Sequence, residues 1–142
     1  MKRKSIYLKN SDKISQILKQ NSIRDTAQRR KIAELLFGEE DKHVTAEYVY
    51  KEISLSGNKV SLATIYNTLK EFCEKNLICE INLGEGVTYF DTNTKFHHHF
   101  FNKETKKIED INEGDIIINK FPKPPAGTQI NSVKIIVEVN ND

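Results

Sequence analysis

Three of the four histidines in the chain are consecutive, and they are the residues best suited to chemistry. On a β-strand, side chains two positions apart share a face, so His97 and His99 can converge on one ion while His98 points the other way. Two carboxylates flank this run, Asp91 before it and Asp110 after it. Imidazole and carboxylate ligands suit Fe(II), Mn(II) or Zn(II), and neutral imidazole also ligates haem iron. The pattern therefore predicts a site for a metal ion or for haem.

Other interpretations of the histidine run stay open at this point. The run can be a solvated polar segment or a set of side chains satisfied by hydrogen bonds, whereas an internal run of three is too short for a purification tag. The two cysteines, Cys73 and Cys79, form no CxxC pair. Their number and spacing exclude a structural zinc site with four thiolates, and they exclude a disulfide framework.

Four amphipathic helices are expected ahead of the histidines. The first covers DKISQILKQ, residues 12 to 20, where apolar residues recur on one helical face. Each of the other three follows a hydroxyl residue that favours the N-cap position: Thr26, Thr45 and Ser61. Gly57 and Asn58 are expected to end the third helix.

The fourth helix has an apolar stripe and a polar face. At about 100° per residue, the stripe consists of Leu62, Ile65, Leu69, Phe72 and Cys73. The opposite face carries Ala63, Thr64, Asn67, Lys70 and Glu71. Tyr66 lies at the border between the two.

After Asn76 the apolar residues alternate with period two. ICEINL, the turn Gly84-Glu85-Gly86 and VTYFD are typical of a β-hairpin. Helices followed by a hairpin describe a winged helix-turn-helix, whose last helix enters the DNA major groove. Thr64 and Tyr66 could then contact thymine methyl groups, and Asn67 could bond adenine. A helix that caps a core or binds a protein is the alternative.

The net charge of +2 hides a basic N-terminal segment. Residues 1 to 30 carry nine Lys or Arg against two Asp or Glu, a net of +7, whereas residues 31 to 96 have a net of −4 and residues 97 to 142 a net of −1. A basic segment beside a near-neutral body favours a polyanionic partner, because each phosphate contact releases counterions. A solvated arm is the alternative.

A second lobe is expected over residues 97 to 142, after a DNA-binding domain at 1 to 91 and a hinge at 92 to 96. HHFFNKETKKIEDI suits two strands around a polar turn, and NSVKIIVEV suits a strand near the end. DIIINKF suits a buried strand or a short helix. So small a lobe needs burial against a second copy, so the overall prediction is an α+β homodimer with a small α/β dimerisation domain.

Length and composition exclude several classes of protein. A chain of 142 residues fits one domain or two small lobes, and 37% apolar residues can form a core. No apolar run reaches the ~18 residues of a membrane span, and the first residues lack the apolar stretch of a signal peptide. The expected location is therefore cytoplasmic. An enzyme built on His and Asp ligands is disfavoured, because no acid/base motif accompanies them.

From Arg24 to Asp110 the chain resembles the ferric uptake regulator (Fur) superfamily, whose members are dimeric, metal-responsive winged-helix repressors. The matching segments are RDTAQRR (24–30), HVTAE (43–47), ATIYNTLKEF (63–72), NLI (76–78), YFD (89–91) and HHH (97–99). Their order and spacing together make the resemblance specific.

The resemblance implies a regulatory metal site with five ligands: His43, Asp91, His97, His99 and Asp110. His43 belongs to the DNA-binding lobe, and the other four lie at or beyond the hinge. An ion bound by all five would hold the lobes together and set the spacing of two recognition helices in a dimer. Metal would thereby shift the population toward DNA binding.

The chain also departs from the pattern of most family members. Where they carry a CxxC after the histidines, this chain has Asn102 and Thr105, so no structural zinc held by four cysteines is expected. These losses, together with HHHFFNKETKKIEDI and the ending PPAGTQINSVKIIVEV, look most like the iron response regulator (Irr) subgroup, whose members respond to haem as well as, or instead of, free iron. That likeness implies haem at His97, His98 and His99. The Cys-Pro haem motif of some members is missing.

The resemblance therefore implies a transcription regulator that binds A/T-rich inverted-repeat operators in double-stranded DNA and controls iron and haem metabolism genes. The residues assigned to DNA contact are Arg24, Thr26, Arg29, Arg30, Thr64, Tyr66 and Asn67. Two rival predictions remain. One is a Fur-type or peroxide-sensing repressor that uses iron or manganese alone, and the other is a winged-helix protein-interaction module without DNA affinity.

Overall fold

Two compact units make up the chain in the computed structural model, which describes residues 11–38 and 40–142. The first unit ends at Thr94, and the second is Lys95–Asp142. The division falls inside residues 92–96, the predicted hinge, whose role as a hinge stays a prediction. Residues 1–10, which carry four of the basic residues behind the predicted N-terminal charge, lie outside the described residues.

Four helices form most of the first unit: α1 (Ser11–Gln20), α2 (Ala27–Leu36), α3 (Ala46–Leu55) and α4 (Leu62–Glu74). The predicted N-caps of the last three are confirmed. In each case the cap hydroxyl accepts a hydrogen bond from the backbone N–H three residues later: Thr26, Thr45 and Ser61. Such a bond satisfies one of the amide groups that a helix start leaves unpaired, so these short polar residues determine where each helix begins.

Helix α4 supplies the centre of the core of the first unit. Ile65, Leu69 and Phe72 are fully buried, as the predicted stripe requires. The prediction for Leu62 is wrong: it is 41% exposed, because it is the first residue of the helix and the core contacts begin one turn later. Thr68 is buried instead, and its hydroxyl donates to the Thr64 carbonyl 2.8 Å away. That bond lets a polar side chain occupy the apolar face.

The predicted hairpin is confirmed as β2 (Cys79–Asn82) and β3 (Thr88–Asp91), which pair antiparallel. Its turn contains two glycines with positive φ, Gly84 and Gly86. The Asn82 side chain accepts a hydrogen bond from the Gly84 N–H at 2.9 Å, which stabilises the start of the turn.

A third strand joins this sheet, and the sequence did not predict it. Strand β1 (His43–Val44) pairs antiparallel with β3 on the side away from β2, giving the order β1-β3-β2. A strand of two residues is too short to show an alternating pattern. Strand β1 matters for the candidate site because its register with β3 places His43 opposite Asp91.

The second unit contains a three-stranded sheet in the order β5-β4-β6. Strand β4 (His98–Asn102) pairs antiparallel with β5 (Ile108–Ile111) and parallel with β6 (Ile136–Val139). All three strands lie within predicted strand segments. With the first unit, they confirm the α+β class.

The segment DIIINKF is neither a buried strand nor a helix, so both alternatives predicted for it are wrong. A single 3-10 turn, Glu113–Asp115, precedes irregular backbone, and Ile117 is 79% exposed. The sheet offers this run no place beside its central strand, because β4 already pairs on both edges. Within the part of the chain that the structure describes, no helix combines the length and apolar character needed to cross a membrane.

Candidate metal centre and DNA-facing helix

His43 and Asp91 form the first ligand pair, which lies in the first unit. The β1–β3 register sets them opposite each other, and His43 Nε2 lies 3.4 Å from Asp91 Oδ2. Asp91 is 1% exposed, and its other oxygen accepts a hydrogen bond from the Asn93 N–H at 2.8 Å. A carboxylate this buried needs polar or cationic partners. The pair therefore presents one nitrogen and one oxygen donor held by a sheet.

His97, His99 and Asp110 form a second ligand group, which lies in the second unit. Asp110 Oδ1 lies 3.1 Å from Nε2 of His97 and 3.5 Å from Nε2 of His99. The β4–β5 register sets His99 opposite Asp110, and the two imidazole rings lie 4.4 Å apart between centroids. The ligand atoms of this group lie within 4.8 Å of one another. Two imidazoles and one carboxylate thus converge on a common point.

The orientation of His97 makes this point suited to a cation. Its Nδ1 contacts the carbonyl oxygen of Lys95, which can only accept a hydrogen bond, and this contact favours the tautomer with the proton on Nδ1. In a neutral ring Nε2 is then a lone-pair donor, and it faces the Asp110 carboxylate. A proton or a metal ion between His97 Nε2 and the Asp110 carboxylate would stabilise both groups. The donor set, nitrogen and oxygen without thiolate, fits Fe(II), Mn(II) or Zn(II).

His98 is placed differently from its two neighbours. Its Nδ1 accepts a hydrogen bond from the Ile135 N–H at 3.0 Å, and its ring packs edge-on against Phe96 with 5.1 Å between centroids. The predicted alternation along the strand is therefore present. His98 links the segment before β6 to β4 and does not join the group around Asp110.

The polar face of α4 carries the residues predicted to read bases. Asn67 is exposed and Tyr66 is 40% exposed, with its ring edge-on to Phe90 at 6.4 Å. Thr64 is half-buried, and its hydroxyl accepts a hydrogen bond from Ser61 at 2.9 Å. Tyr66 and Asn67 are thus available to a ligand on this face, while Thr64 also takes part in the start of the helix.

The four residues predicted to bind DNA around the start of α2 differ in their surroundings. Arg24 is exposed, and Thr26 is the cap of α2. Arg29 Nε donates to Glu71 at 2.9 Å, and Arg30 donates to Asp25 at 2.8 Å. The two arginines are therefore held by carboxylates.

A groove of about 500 Å³ lies between α2 and α4, and the sequence reasoning missed most of its residues. It is lined by Gln28, Arg29, Thr64, Asn67, Thr68, Lys70, Glu71 and Glu74. The sequence places Glu71 on the polar face of α4, but its pairing with Arg29 depends on how two helices pack. A single-helix pattern carries no signal of such a contact.

Neither cysteine belongs to a ligand group. Both are free thiols and half-buried, with Cys73 packed against the core and Cys79 at the start of β2. Burial raises the pKa of Cys73 to about 12, so this side chain stays a neutral thiol near neutral pH. Metal coordination by cysteine requires a thiolate.

Known proteins resemble the chain over most of its length. A family model for the ferric uptake regulator family matches residues 20–138. The ferric uptake regulation protein of Bacillus subtilis is 32% identical over 106 residues, 72% of this chain and 71% of that protein. The peroxide-responsive repressor PerR of Staphylococcus aureus is 36% identical over 94 residues, 66% of this chain and 63% of that protein.

A solved structure also shares the fold. The ferric uptake regulator from Pseudomonas aeruginosa, determined with manganese, superposes with a TM-score of 0.67 at 24% identity, covering 89% of this chain and 96% of that one. This likeness supports the winged-helix and sheet arrangement found in the two units.

Proposed function

Because the chain belongs to the ferric uptake regulator family, we propose that it is a metal-responsive, sequence-specific DNA-binding transcriptional regulator. The proposed sensor is one divalent ion that takes its ligands from both groups: His43, Asp91, His97, His99 and Asp110. The proposed reader is the exposed face of α4, supported by basic residues at the start of α2. A cytoplasmic homodimer that binds an A/T-rich inverted repeat completes the proposal.

One observation carries the proposal: the Nε2 atoms of His97 and His99 converge on a single oxygen of Asp110. Because His97 Nδ1 contacts the Lys95 carbonyl, Nε2 is the ring atom that faces Asp110, and in a neutral imidazole it can ligate an ion. A bound divalent cation would offset the negative charge of Asp110 and accept an electron pair from each of the three ligand atoms. A solvated polar run would have no reason to bring the three groups together.

The connection between the two ligand groups is short. Asp91 and His97 are six residues apart in sequence, so a fully extended connection spans at most roughly 20 Å. This connection sets an upper limit on the distance between Asp91 and His97, and a single ion for both groups is what the family resemblance implies. An ion that binds both groups favours the arrangements in which they are close, and this shifts the population of conformers available to DNA.

The donor set favours iron or manganese, with zinc as a further candidate. His43, Asp91, His97, His99 and Asp110 would hold the ion, and Fe(II) held there would supply reactivity toward a small oxidant. The similarity to a peroxide-responsive repressor makes a peroxide response through Fe(II) an equal alternative to iron sensing. Both alternatives use the same five residues.

Haem sensing, the Irr-like alternative, requires a different use of the histidines. Asp110 contacts both His97 and His99, and the side chain of His98 faces away from them and accepts the Ile135 N–H. A planar macrocycle would have to displace Asp110 or draw His98 out of its hydrogen bond. These contacts favour a small ion over haem at the three histidines.

Fluorescence anisotropy on the full chain tests the proposal. The probe is an A/T-rich inverted-repeat duplex with a scrambled duplex as control, and the protein is prepared without metal, with Mn(II), and with haem. We expect Mn(II) to strengthen binding to the repeat and haem to have no effect. We also expect affinity to fall steeply with salt, which a protein-interaction module would not show. Unchanged binding with Mn(II) would contradict the proposal.

Two histidine variants make this test specific. We expect His99→Ala to lose the Mn(II) response, because it removes one donor from the convergence point. His98→Gln is the matched control, since an amide oxygen can still accept the Ile135 N–H and no proposed ion ligand is lost. A haem response that disappears in His98→Gln would instead favour the Irr-like alternative.

A further inference from the structure

The residue after Asp91 forms an unusual end to the β1–β3 pairing. The Thr92 N–H donates to the Lys42 carbonyl at 3.0 Å, as a regular antiparallel pair requires. The returning bond, from the Lys42 N–H, goes to the Thr92 hydroxyl oxygen at 2.8 Å. A side chain therefore accepts the bond in place of a backbone carbonyl. The Lys42–Thr92 pair therefore keeps both of its hydrogen bonds, while the backbone after Thr92 can leave the sheet.

This closure matters because β1 is so short. Its two residues pair with only two positions of β3, His43 with Asp91 and Val44 with Phe90. The Lys42–Thr92 bonds add a third pair next to the proposed ligands. Thr92 is fully buried, and its hydroxyl in turn donates to Asp41 Oδ1 at 3.4 Å. The hydroxyl thus fixes the backbone on the N-terminal side of His43.

Lys42 also connects this strand end to helix α2. Its ammonium group donates to the carbonyl of Leu35 at 2.7 Å, in the last turn of α2. The last carbonyls of a helix lack backbone partners and carry partial negative charge, so a lysine there is favourable. The same helix carries Arg29 near its other end. A side chain next to His43 is therefore attached to the helix whose start is proposed to contact DNA.

We propose that Lys42 and Thr92 form a positioning element that holds His43 against Asp91 for the ion and joins this ligand pair to α2. The inference rests on the proposed metal-responsive function and adds two residues that are not themselves ligands. The Thr92 hydroxyl acts on ion affinity through the backbone of β1. The Lys42 ammonium transmits the effect of ion binding from β1 to α2, the helix whose start is proposed to contact DNA.

Calorimetric titration of the full chain with MnCl2 tests the role of Thr92. We expect Thr92→Val to weaken Mn(II) binding about tenfold, the lower end of the effect of residues that orient metal ligands. Thr92→Ser keeps the hydroxyl and should restore affinity to within about twofold of wild type. Thr68→Val is the matched control, because it also removes a buried hydroxyl that is bonded to the backbone, in this case the Thr64 carbonyl on α4. Equal Mn(II) affinity in wild type and Thr92→Val would overturn this role.

A measurement on the wild-type chain covers the case in which Thr92→Val does not fold. Amide hydrogen exchange is followed by NMR with and without Zn(II), a diamagnetic probe. We expect Zn(II) to slow exchange of the Lys42 and Thr92 amides, because an ion on His43 and Asp91 suppresses opening of the adjacent pair. Unchanged exchange at both amides in the Zn(II)-loaded protein would overturn the proposal.

Lys42→Met tests the connection to α2. It keeps the backbone bonds to Thr92 and the length of the side chain but removes the ammonium. We expect Mn(II) affinity within about twofold of wild type and a Mn(II)-induced gain in DNA affinity reduced at least threefold. An undiminished gain would overturn the connection. A wild-type chain that binds no Mn(II) would overturn the proposed function as well, whereas normal Mn(II) binding with no effect of these variants would overturn this inference alone.

Discussion

Arg29 of α2 and Glu71 of α4 form an ion pair, with Nε of the arginine 2.9 Å from Oε1 of the glutamate. Both side chains are partly shielded, 27% and 29% exposed. Because Nε is used in this contact, the guanidinium is held by one edge and its orientation at the groove between α2 and α4 is restricted. A carboxylate on the proposed DNA-facing side thus serves to orient a cation.

The first prediction concerns the specificity of DNA binding. Glu71→Gln removes a negative charge and loosens Arg29, so we expect stronger binding to scrambled DNA and a lower ratio of specific to non-specific affinity. Anisotropy with the two duplexes at fixed salt measures both. Glu74→Gln is the matched control, because Glu74 lines the same groove and the charge change is identical. The same ratio in both variants would show that charge alone, without orientation of Arg29, explains the effect. The stability of the fold should change by no more than about 1 kcal/mol, as for other partly exposed ion pairs.

A second prediction concerns base reading by α4. We expect Asn67→Ala to lose about 1–3 kcal/mol of discrimination at one base position of the operator, because an amide that contacts a base edge carries specificity. Binding to scrambled DNA should stay as in wild type. A panel of single-base operator variants gives the discrimination at each position. A uniform loss of affinity across the panel would instead assign Asn67 to backbone contact.

The β4–β5 turn leads to a third prediction, at the position where most family members carry a cysteine pair. Asn102 Oδ1 accepts the N–H groups of Glu104 and Thr105 at 2.9 and 3.1 Å, and its amide nitrogen donates to Asn141 at 2.8 Å. We expect Asn102→Ala to lower the free energy of unfolding by roughly 1–2 kcal/mol in urea titrations. Asn102→Asp keeps the acceptor oxygen and should lose less.

The same turn predicts the response to chelators. The amide side chain of Asn102 organises this turn without a metal ion. EDTA should therefore remove the Mn(II) response. It should leave the urea midpoint of protein prepared without added metal unchanged. Circular dichroism during the titration measures the midpoint. A midpoint that falls when EDTA is added to protein purified without added metal would indicate a bound structural ion. The contacts of Asn102 do not require such an ion.

The raised pKa of Cys73 predicts how stability depends on pH. Burial raises the pKa of the folded thiol from 9.0 to about 12, so the unfolded chain ionises first as the pH increases. The associated stability is present below pH 9 and is lost between pH 9 and about 12. Urea titrations over this pH range should show a decline in the free energy of unfolding, and this decline should be smaller in Cys73→Ala. Iodoacetamide should also alkylate Cys73 more slowly in the native chain than in urea, as mass spectrometry can measure.

Much of the first unit could be predicted because its signals are local. The caps of α2, α3 and α4 each depend on one hydroxyl and an amide three residues away, and the hairpin depends on alternation and a glycine turn. Strand β1 escaped prediction because two residues cannot show a period. The alternatives predicted for the run at Ile117 are wrong because apolar composition alone does not say whether a sheet has room for another strand.

The candidate site also combines local features, which the sequence predicts, with contacts that depend on the fold. The alternation that groups His97 with His99 and separates His98 is a local property, and the sequence predicted it. Their convergence on Asp110 depends on the β4–β5 register, and the pairing of His43 with Asp91 depends on a strand visible only in the fold. The ligand set came from family resemblance, whereas the roles of Glu71 and Thr92 depend on packing between segments far apart in sequence.

The parallel pairing of β4 with β6 has a consequence for the order of synthesis. The His99 N–H donates to the Ile135 carbonyl, and the His98 ring accepts the Ile135 N–H. Ile135 leaves the ribosome well after the histidines do. While the chain is still being translated, the histidine strand can pair with β5 but lacks its other neighbour. The nascent protein therefore passes through a stage in which all five proposed metal ligands have been made but one edge of the histidine strand is still open.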